Sequence, residues 1–138
     1  MVSYLPHLPD KSELHQLFQT TGWKGIIELS EHKLYEAVSS SWFLLAAYDE
    51  HQLIGFGRVI SDGVFQSFIC DLIIHPDYQN QGIGSTLLKA LLIECKKNHI
   101  ISVQLCCASG KSEFYKKFGF SERNPDAPGM YWANREVI

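Results

Sequence analysis

Two glycines, Gly82 and Gly84, lie one residue apart in the stretch HPDYQNQGIGSTLLKALL, which begins at His75. The apolar run DLII precedes this stretch, and apolar residues at helical spacing fill its second half. Glycine has no Cβ atom, so another molecule can approach the backbone closely. The N–H groups in the first turn of a helix lack intrahelical acceptors and favour an anion. The pattern therefore predicts an anion-binding turn between a strand and a helix; the simpler alternative is a tight connection that binds nothing.

Two common phosphate-binding motifs do not fit this stretch. A dinucleotide-binding turn requires Gly-x-Gly-x-x-Gly, and position 87 is Leu87. A P-loop requires Gly-Lys-Ser/Thr, whereas Gly84 is followed by Ser85 and Thr86. Both alternatives fail on spacing, so neither motif accounts for the two glycines.

Length and charge limit the classes of protein to which the chain can belong. It has 138 residues, 46% of them hydrophobic and 20% charged, so we predict a single globular domain over residues 1–138. The formal net charge of −3 and the lack of a Lys/Arg run argue against a nucleic-acid partner and against binding to an anionic membrane. No apolar stretch reaches the ~18 residues of a membrane span, and the N-terminus lacks a signal-peptide pattern. A cytoplasmic location is predicted.

Cysteine and histidine spacing gives no indication of a metal site. The four cysteines are Cys70, Cys95, Cys106 and Cys107, and no two of them form a C-x-x-C pair. The six histidines lack the paired spacing of zinc ligands. We therefore predict no metal, and we expect reduced, buried thiols.

The hydrophobic pattern predicts the elements that carry the glycine turn. A first helix begins after Asp10 and ends near Gly22, and Ser30 caps a second helix. SWFLLAAY and QLIGFGRVI form a hairpin, and a longer strand covers residues 64–74. After the helix that follows the glycine turn come a strand, IISVQLCCA, a short helix, SEFYKKFGF, and a last strand, GMYWANREVI. This order, roughly β-α-α-β-β-β-β-α-β-α-β, indicates a mixed sheet with helices on its faces, in the α/β (α+β) class.

Two of these segments carry a family resemblance. QNQGIG, at residues 79–84, resembles the acetyl-CoA signature of the GNAT superfamily of N-acetyltransferases, and FYKKFGF, at residues 114–120, resembles a later element of that superfamily. The resemblance implies a mostly antiparallel sheet of six to seven strands, with helices on both faces and splayed central strands at the cofactor site. Residues from about 53 to 132 are further similar to the plant plastid branch associated with arylalkylamine (serotonin-type) and protein acetylation.

The resemblance implies acetyl-CoA as cosubstrate and a set of residues that bind it. The N–H groups from Gln81 to Ser85 would hold the pyrophosphate. The cofactor-binding residues of the turn would be Gln79, Asn80, Gln81, Gly82, Ile83, Gly84 and Ser85. On the preceding strand, Leu72 and Ile74 would offer main-chain groups to the pantetheine arm. Ala108 stands where many members carry an asparagine, so Ser109 is the expected replacement for that contact.

Two residues are candidates for the chemistry. Tyr115 occupies the position of the general acid in the family, and a phenol is protonated at neutral pH and can donate to a departing thiolate; the alternative is a core aromatic beside Phe114. Asp71 is an acid within an apolar strand, which is costly unless the acid is paired or functional. It would act as a base, orient the ammonium group of the acceptor, or serve only a structural hydrogen bond.

The acceptor is an amine whose identity the sequence leaves open. Trp23, Met130 and Tyr131 are candidates for the acceptor pocket, and such aromatic character favours an arylalkylamine over a polyamine. The expected reaction is direct attack in a ternary complex. The alternatives are acetylation of protein lysines or N-termini, and a noncatalytic acyl-CoA-binding module. The protein is expected to act as a monomer or a homodimer.

Overall fold

The computed structural model describes residues 1–137, and these fall into two compact units, residues 1–106 and residues 107–137. The first unit contains, in chain order, β1 (Val2–Leu5), α1 (Lys11–Gln19), α2 (Glu31–Ser39), β2 (Phe43–Asp49), β3 (Gln52–Ser61), β4 (Gln66–Ile74), a 3-10 turn (Pro76–Tyr78), α3 (Ile83–Lys97) and β5 (Ser102–Gln104). The second unit contains α4 (Ser112–Lys116) and a 3-10 turn (Arg135–Val137). The single domain over residues 1–138 stays a prediction.

The first unit is built on one five-stranded sheet with the order β1-β2-β3-β4-β5. The first three pairings are antiparallel, and β4 pairs with β5 in parallel. The parallel pairing requires a crossover, which α3 supplies. The mostly antiparallel mixed sheet expected from the sequence is confirmed, with five strands within residues 1–137 in place of six to seven.

Helices cover both faces of this sheet, as expected. On one face, Phe56 of β3 lies 6.1 Å, between ring centroids, from Phe18 of α1, in a core that also includes Leu34 and Val38 of α2. On the other face, a Cβ on Gly57 would lie 3.1 Å from Leu91 of α3. Glycine at this position therefore lets the long crossover helix pack directly against the strand.

The sequence also predicted the caps of the first two helices correctly. The Asp10 carboxylate accepts hydrogen bonds from the N–H groups of Ser12 and Glu13, at 3.1 and 3.2 Å. The Ser30 hydroxyl accepts one from the N–H of Lys33 at 3.1 Å. These side chains satisfy N–H groups that the helices leave without partners, so both helices begin where expected.

Three strand predictions differ from the structure. β4 begins at Gln66 because the Asp62 carboxylate accepts the N–H groups of Val64 and Phe65 and holds them in a turn. β5 has only three residues, all half-buried, because the chain leaves the sheet after Gln104. GMYWANREVI forms no strand within residues 129–137; it follows a segment with two prolines, which cannot donate to a ladder. Its last residue, Ile138, lies outside the described residues.

No helix within residues 1–137 combines the length and the apolar character required to cross a membrane. The longest, α3, has 15 residues and ends in Lys96 and Lys97.

Candidate functional site

The glycine turn joins the end of β4 to the N-terminus of α3. Asn80 and Gly82 both adopt left-handed backbone conformations, with φ of 63° and 83°. Gly82 is the N-cap of α3, and no side chain caps this helix. The first helical hydrogen bond runs from the Thr86 N–H to the Gly82 carbonyl at 3.1 Å. The N–H groups of the first helical turn therefore lack helical acceptors and form a site suited to an anion.

The turn is open on the side of Gly82. A Cβ added to Gly82 would meet no protein atom within 4 Å, so the turn opens outward. The positive φ of Gly82 is what favours glycine there, since L side chains rarely adopt it. Gly84 lies in the first turn of the same helix and Ser85 follows it, exposed. The main-chain N–H groups of residues 83–85 are therefore not covered by a capping side chain.

Side chains fix the turn to the sheet. The Tyr78 hydroxyl donates to the Asp49 carboxylate at the end of β2, at 2.7 Å. The Gln79 side-chain amide donates to the Ile74 carbonyl at 3.1 Å, and the His75 ring accepts from the N–H of Asp77 at 3.1 Å. The Ile74 carbonyl therefore already has a donor, and Gln79 acts within the turn.

The edge of β4 beside β5 is only partly paired. The two strands pair from Gln66 to Phe68 and from Ser102 to Gln104, and no register continues beyond them. Of the later residues of β4, Ile69, Cys70, Ile73 and Ile74 pair with β3, and Asp71 and Leu72 lie in a register shift. The pairing with β5 ends where splayed strands are expected, and the splay itself stays a prediction. A free strand edge offers main-chain hydrogen bonds to an extended, amide-containing chain such as pantetheine.

The side chains of the predicted cofactor strand belong to the core. The Cδ1 atom of Leu72 lies 3.1 Å from the Cβ position of Gly57, and that of Ile74 lies 3.3 Å from the Cβ position of Gly55. Both therefore pack on the α3 face. Any contact that Leu72 or Ile74 makes with a cofactor has to come from the main chain.

Asp71 is already paired with a cation. Its carboxylate accepts from Arg58 Nε at 2.6 Å, and the exposed fractions of the two side chains are 17% and 13%. Asp71 also has a left-handed φ of 57° and lies where the register between β3 and β4 shifts. Arg58 is not among the site residues predicted from the sequence. It could have been, because it is a charged residue within the apolar run GFGRVI, as Asp71 is a charged residue within an apolar strand.

The neighbouring thiol is poorly suited to act as a nucleophile. Burial, followed by the negative charge of Asp71, raises the pKa of Cys70 to about 11, against a smaller opposing effect of Arg58. A thiol must ionise to attack an acyl group. Cys95 is buried, and burial raises its pKa as well. Cys106 and Cys107 are exposed, so the expectation of buried thiols is wrong for these two.

Tyr115 lies in α4 of the second unit, within an aromatic cluster. Its ring centroid is 5.0 Å from that of Phe114 and 6.0 Å from that of Phe120, both in edge-on geometry. Burial, and then the charge of Cys107, raises the pKa of the phenol above its ordinary value. The phenol therefore stays protonated at neutral pH, as a proton donor must.

The remaining predicted residues fall in different places. Ser109 is exposed in the turn before α4, and Met130 and Tyr131 are 91% and 88% exposed in a segment without regular secondary structure. Trp23 belongs to the first unit and packs against the core, 6.5 Å from Phe18 between ring centroids. The residues predicted to bind the cofactor, on β4 and in the turn, lie in one continuous stretch of the structure. Both the cofactor-binding and the acceptor-binding assignments stay predictions.

Within residues 1–137, no group of three His, Cys, Asp or Glu side chains is arranged to hold a metal ion. That the protein acts without a metal stays a prediction.

Comparison with known proteins agrees with this geometry. The acetyltransferase (GNAT) domain family matches residues 9–128. The uncharacterized N-acetyltransferase ycf52 of Pyropia yezoensis is 30% identical over 127 residues, which cover 89% of this chain and 71% of that protein. The histone acetyltransferase TAP1 of Glycine max is 28% identical, over 89% of this chain and 57% of that protein.

Solved structures are similar over almost the whole chain. The GNAT-family acetyltransferase SP0256 of Streptococcus pneumoniae superposes with a TM-score of 0.83 at 32% identity, over 98% of this chain and 99% of that one. The probable acetyltransferase SA2161 of Staphylococcus aureus superposes with a TM-score of 0.85 at 27% identity, over 97% of this chain and 100% of that one.

Proposed function

This chain belongs to the GNAT acetyltransferase family, and we propose that it transfers the acetyl group of acetyl-CoA to a primary amine bound beside it in a ternary complex. GNAT enzymes in general use acetyl-CoA for this purpose, and the chain is an acetyl-transferring enzyme. The observation that carries the proposal is the uncapped N-terminus of α3, which directly follows the partly unpaired strand β4.

Acetyl-CoA would bind along this continuous stretch. The N–H groups of residues 83–85 would hold the pyrophosphate, assisted by the positive end of the α3 dipole. Asn80, Gln81 and Gly82 would shape the turn around it. The free edge of β4 near Leu72 would hydrogen bond the amides of the pantetheine arm, and Ser109 would complete the contacts near the thioester.

The reaction would proceed by direct attack. The amine nitrogen, once neutral, would add to the thioester carbonyl; the C–S bond would then break, and the departing thiolate would take the proton of the Tyr115 phenol. The amine proton would pass to a base or to water. The raised pKa of Cys70 supports this route over an acyl-cysteine intermediate.

We further propose an arylalkylamine as the acceptor. The segment that contains Met130, Tyr131 and Trp132 presents three large apolar side chains to solvent, and aromatic rings bind other rings through stacking and edge contacts. Protein lysine or N-terminal amines are the second candidate, because one relative is named a histone acetyltransferase.

The experiment that tests the proposal measures thiol release from acetyl-CoA with a panel of tryptamine, serotonin, spermidine, aminoglycosides and a lysine peptide. We expect turnover with an arylalkylamine, slowed by about tenfold or more in Tyr115→Phe with unchanged acetyl-CoA binding. Tyr4→Phe, on β1, is the matched control. Turnover with the lysine peptide alone would reject the arylalkylamine; Tyr115→Phe at the wild-type rate would remove Tyr115 from the mechanism.

The cytoplasmic location, the absence of nucleic-acid and membrane partners, and the monomer or homodimer state remain part of the proposal. One relative, the GCN5-related N-acetyltransferase 2 of Arabidopsis thaliana, is named chloroplastic, over 60% of this chain. Fractionation of the source cells and sedimentation of the purified protein would test the location and the oligomeric state.

A further inference from the structure

The strand that carries the proposed cofactor edge contains one extra residue. Phe56 and Arg58 of β3, two residues apart, pair with Ile73 and Cys70 of β4, three residues apart. Asp71 lies inside this step and has a φ of 57°, so β4 has a bulge there. The bulge follows shortly after the last residue of β4 that pairs with β5, which is Phe68.

The bulge changes which side chains of β4 face α1 and α2 and which face α3. Cys70 pairs with Arg58 and Ile73 pairs with Phe56, so both face α1 and α2. Leu72 and Ile74 instead pack on the α3 face. In a regular strand Cys70, Leu72 and Ile74 would share a face. The extra residue therefore sets the orientation of the main chain at the strand edge.

Arg58 connects this bulge to the end of α2. Its Nε donates to Asp71 at 2.6 Å, and its Nη1 donates to the Ala37 carbonyl at 3.3 Å and to the Ser41 hydroxyl at 3.4 Å. Ala37 lies in the last turn of α2, and its carbonyl also accepts from the Ser40 hydroxyl at 2.8 Å and from the Ser40 N–H at 3.4 Å. The guanidinium thus links the acid on the bulge to the end of a helix.

We propose that Arg58 and Asp71 form a positioning pair, in which the ion pair fixes the bulge of β4 so that its unpaired edge meets the pantetheine arm and thioester in the reactive orientation. The proposal rests on the proposed function and deepens it, because it assigns a role to Arg58. It also gives Asp71 a role other than proton acceptor, since the carboxylate is held by the guanidinium.

The test compares Arg58→Gln, Asp71→Asn and the double variant. Each single variant is expected to raise the KM for acetyl-CoA and to lower kcat/KM by about tenfold. The double variant is expected to be no worse than the more damaged single variant, because residues that act as a unit are not additive. Lys33→Gln with Glu36→Gln removes an exposed ion pair of α2 at 3.6 Å and serves as the control, with no expected change.

Two further readouts separate positioning from other roles. Amide hydrogen exchange should quicken at residues 69–74 in both single variants, below the thermal transition of each. A merely structural role would lower the midpoint of thermal unfolding and leave the KM for acetyl-CoA unchanged. If a single variant does not fold, Arg58→Lys, which keeps the charge and loses the forked geometry, takes its place, with a smaller loss expected.

Three results would overturn the pair. If Arg58→Gln had wild-type kinetics, Arg58 would have no positioning role. If the losses of the two single variants multiplied in the double variant, the two residues would act independently and not as a pair. If Asp71→Asn alone abolished the acidic limb of the rate profile while Arg58→Gln kept it, Asp71 would be the base. Failure of the proposed function can be told apart from failure of the positioning pair, because wild-type protein would then show no turnover with any amine. The pair would still be tested by acetyl-CoA binding and by hydrogen exchange.

Discussion

The stretch from β4 through the glycine turn into α3 and the segment of residues 107–137 are built by different means. The first is a strand, a turn with two left-handed residues and a helix of 15 residues, tied to β2 through Tyr78. The second has one helix of five residues and a 3-10 turn, with exposed aromatic side chains.

The difference follows from what each region has to recognise under the proposed function. A pyrophosphate and a chain of amides are bound by main-chain groups, so the backbone conformation of the first region specifies the site. Under the same proposal, an amine acceptor is recognised by side chains, among them Met130 and Tyr131 in a part of the second region without regular secondary structure. Changes in the first region should therefore alter acetyl-CoA binding, and changes at Met130 and Tyr131 should alter acceptor choice.

The largest effect is expected from Gly82→Val. A β-branched residue at φ 83° costs about 1–3 kcal/mol and places methyl groups in the proposed anion site. The affinity for acetyl-CoA should fall by about a hundredfold, as measured by calorimetry, from strain and obstruction together. Gly25→Val, at φ 86° and likewise without a protein atom within 4 Å, is the matched control for backbone strain. Equal losses in both variants would refute a pyrophosphate site at the turn.

Tyr131→Ala, in the second region, is expected to have a smaller effect, which falls on the acceptor and not on acetyl-CoA. Removing one exposed ring should raise the KM for an arylalkylamine by about three- to tenfold, the range of a single aromatic contact, with unchanged acetyl-CoA affinity. Steady-state kinetics with both substrates would measure this. Tyr35→Ala, in α2, is a control on a half-buried tyrosine elsewhere. A weaker affinity of Tyr131→Ala for acetyl-CoA would contradict the different roles assigned to the two regions.

The pH dependence of kcat tests the role assigned to Tyr115. The phenol donates its proton only when protonated, and burial raises its pKa above its ordinary value of 10.0. The alkaline decline in kcat that reports this group should therefore lie above that value in wild-type protein and be absent in Tyr115→Phe. Rates from neutral to strongly alkaline pH, with circular dichroism to exclude unfolding, provide the check. An unchanged decline in the variant would assign it to another group.

The smallest effect is expected from Tyr78→Phe, which removes the hydroxyl that holds the turn to Asp49. Water can replace part of this hydrogen bond at the surface, so the KM for acetyl-CoA should rise by only about threefold. The matched control is again Tyr4→Phe. A loss of kcat without a change in KM would contradict an anchoring role.

The same contrast explains what could be predicted from the sequence. The glycine spacing, the helix caps at Asp10 and Ser30 and the hairpin all depend on local chemistry, and the structure has these elements where they were expected. The bulge at Asp71 and its partner Arg58 depend on pairing between separate strands, which periodicity does not reveal. The apolar segments IISVQLCCA and GMYWANREVI read as strands, yet a strand also requires a neighbour with which to pair.

The central claim is that the amine attacks acetyl-CoA directly while both are bound. Initial velocities measured over a grid of acetyl-CoA and acceptor concentrations test this claim most directly. Direct attack predicts double-reciprocal lines that intersect, with an unchanged pattern and rate in Cys70→Ser. Parallel lines, together with loss of turnover in Cys70→Ser, would indicate an acetyl-cysteine intermediate and contradict the account.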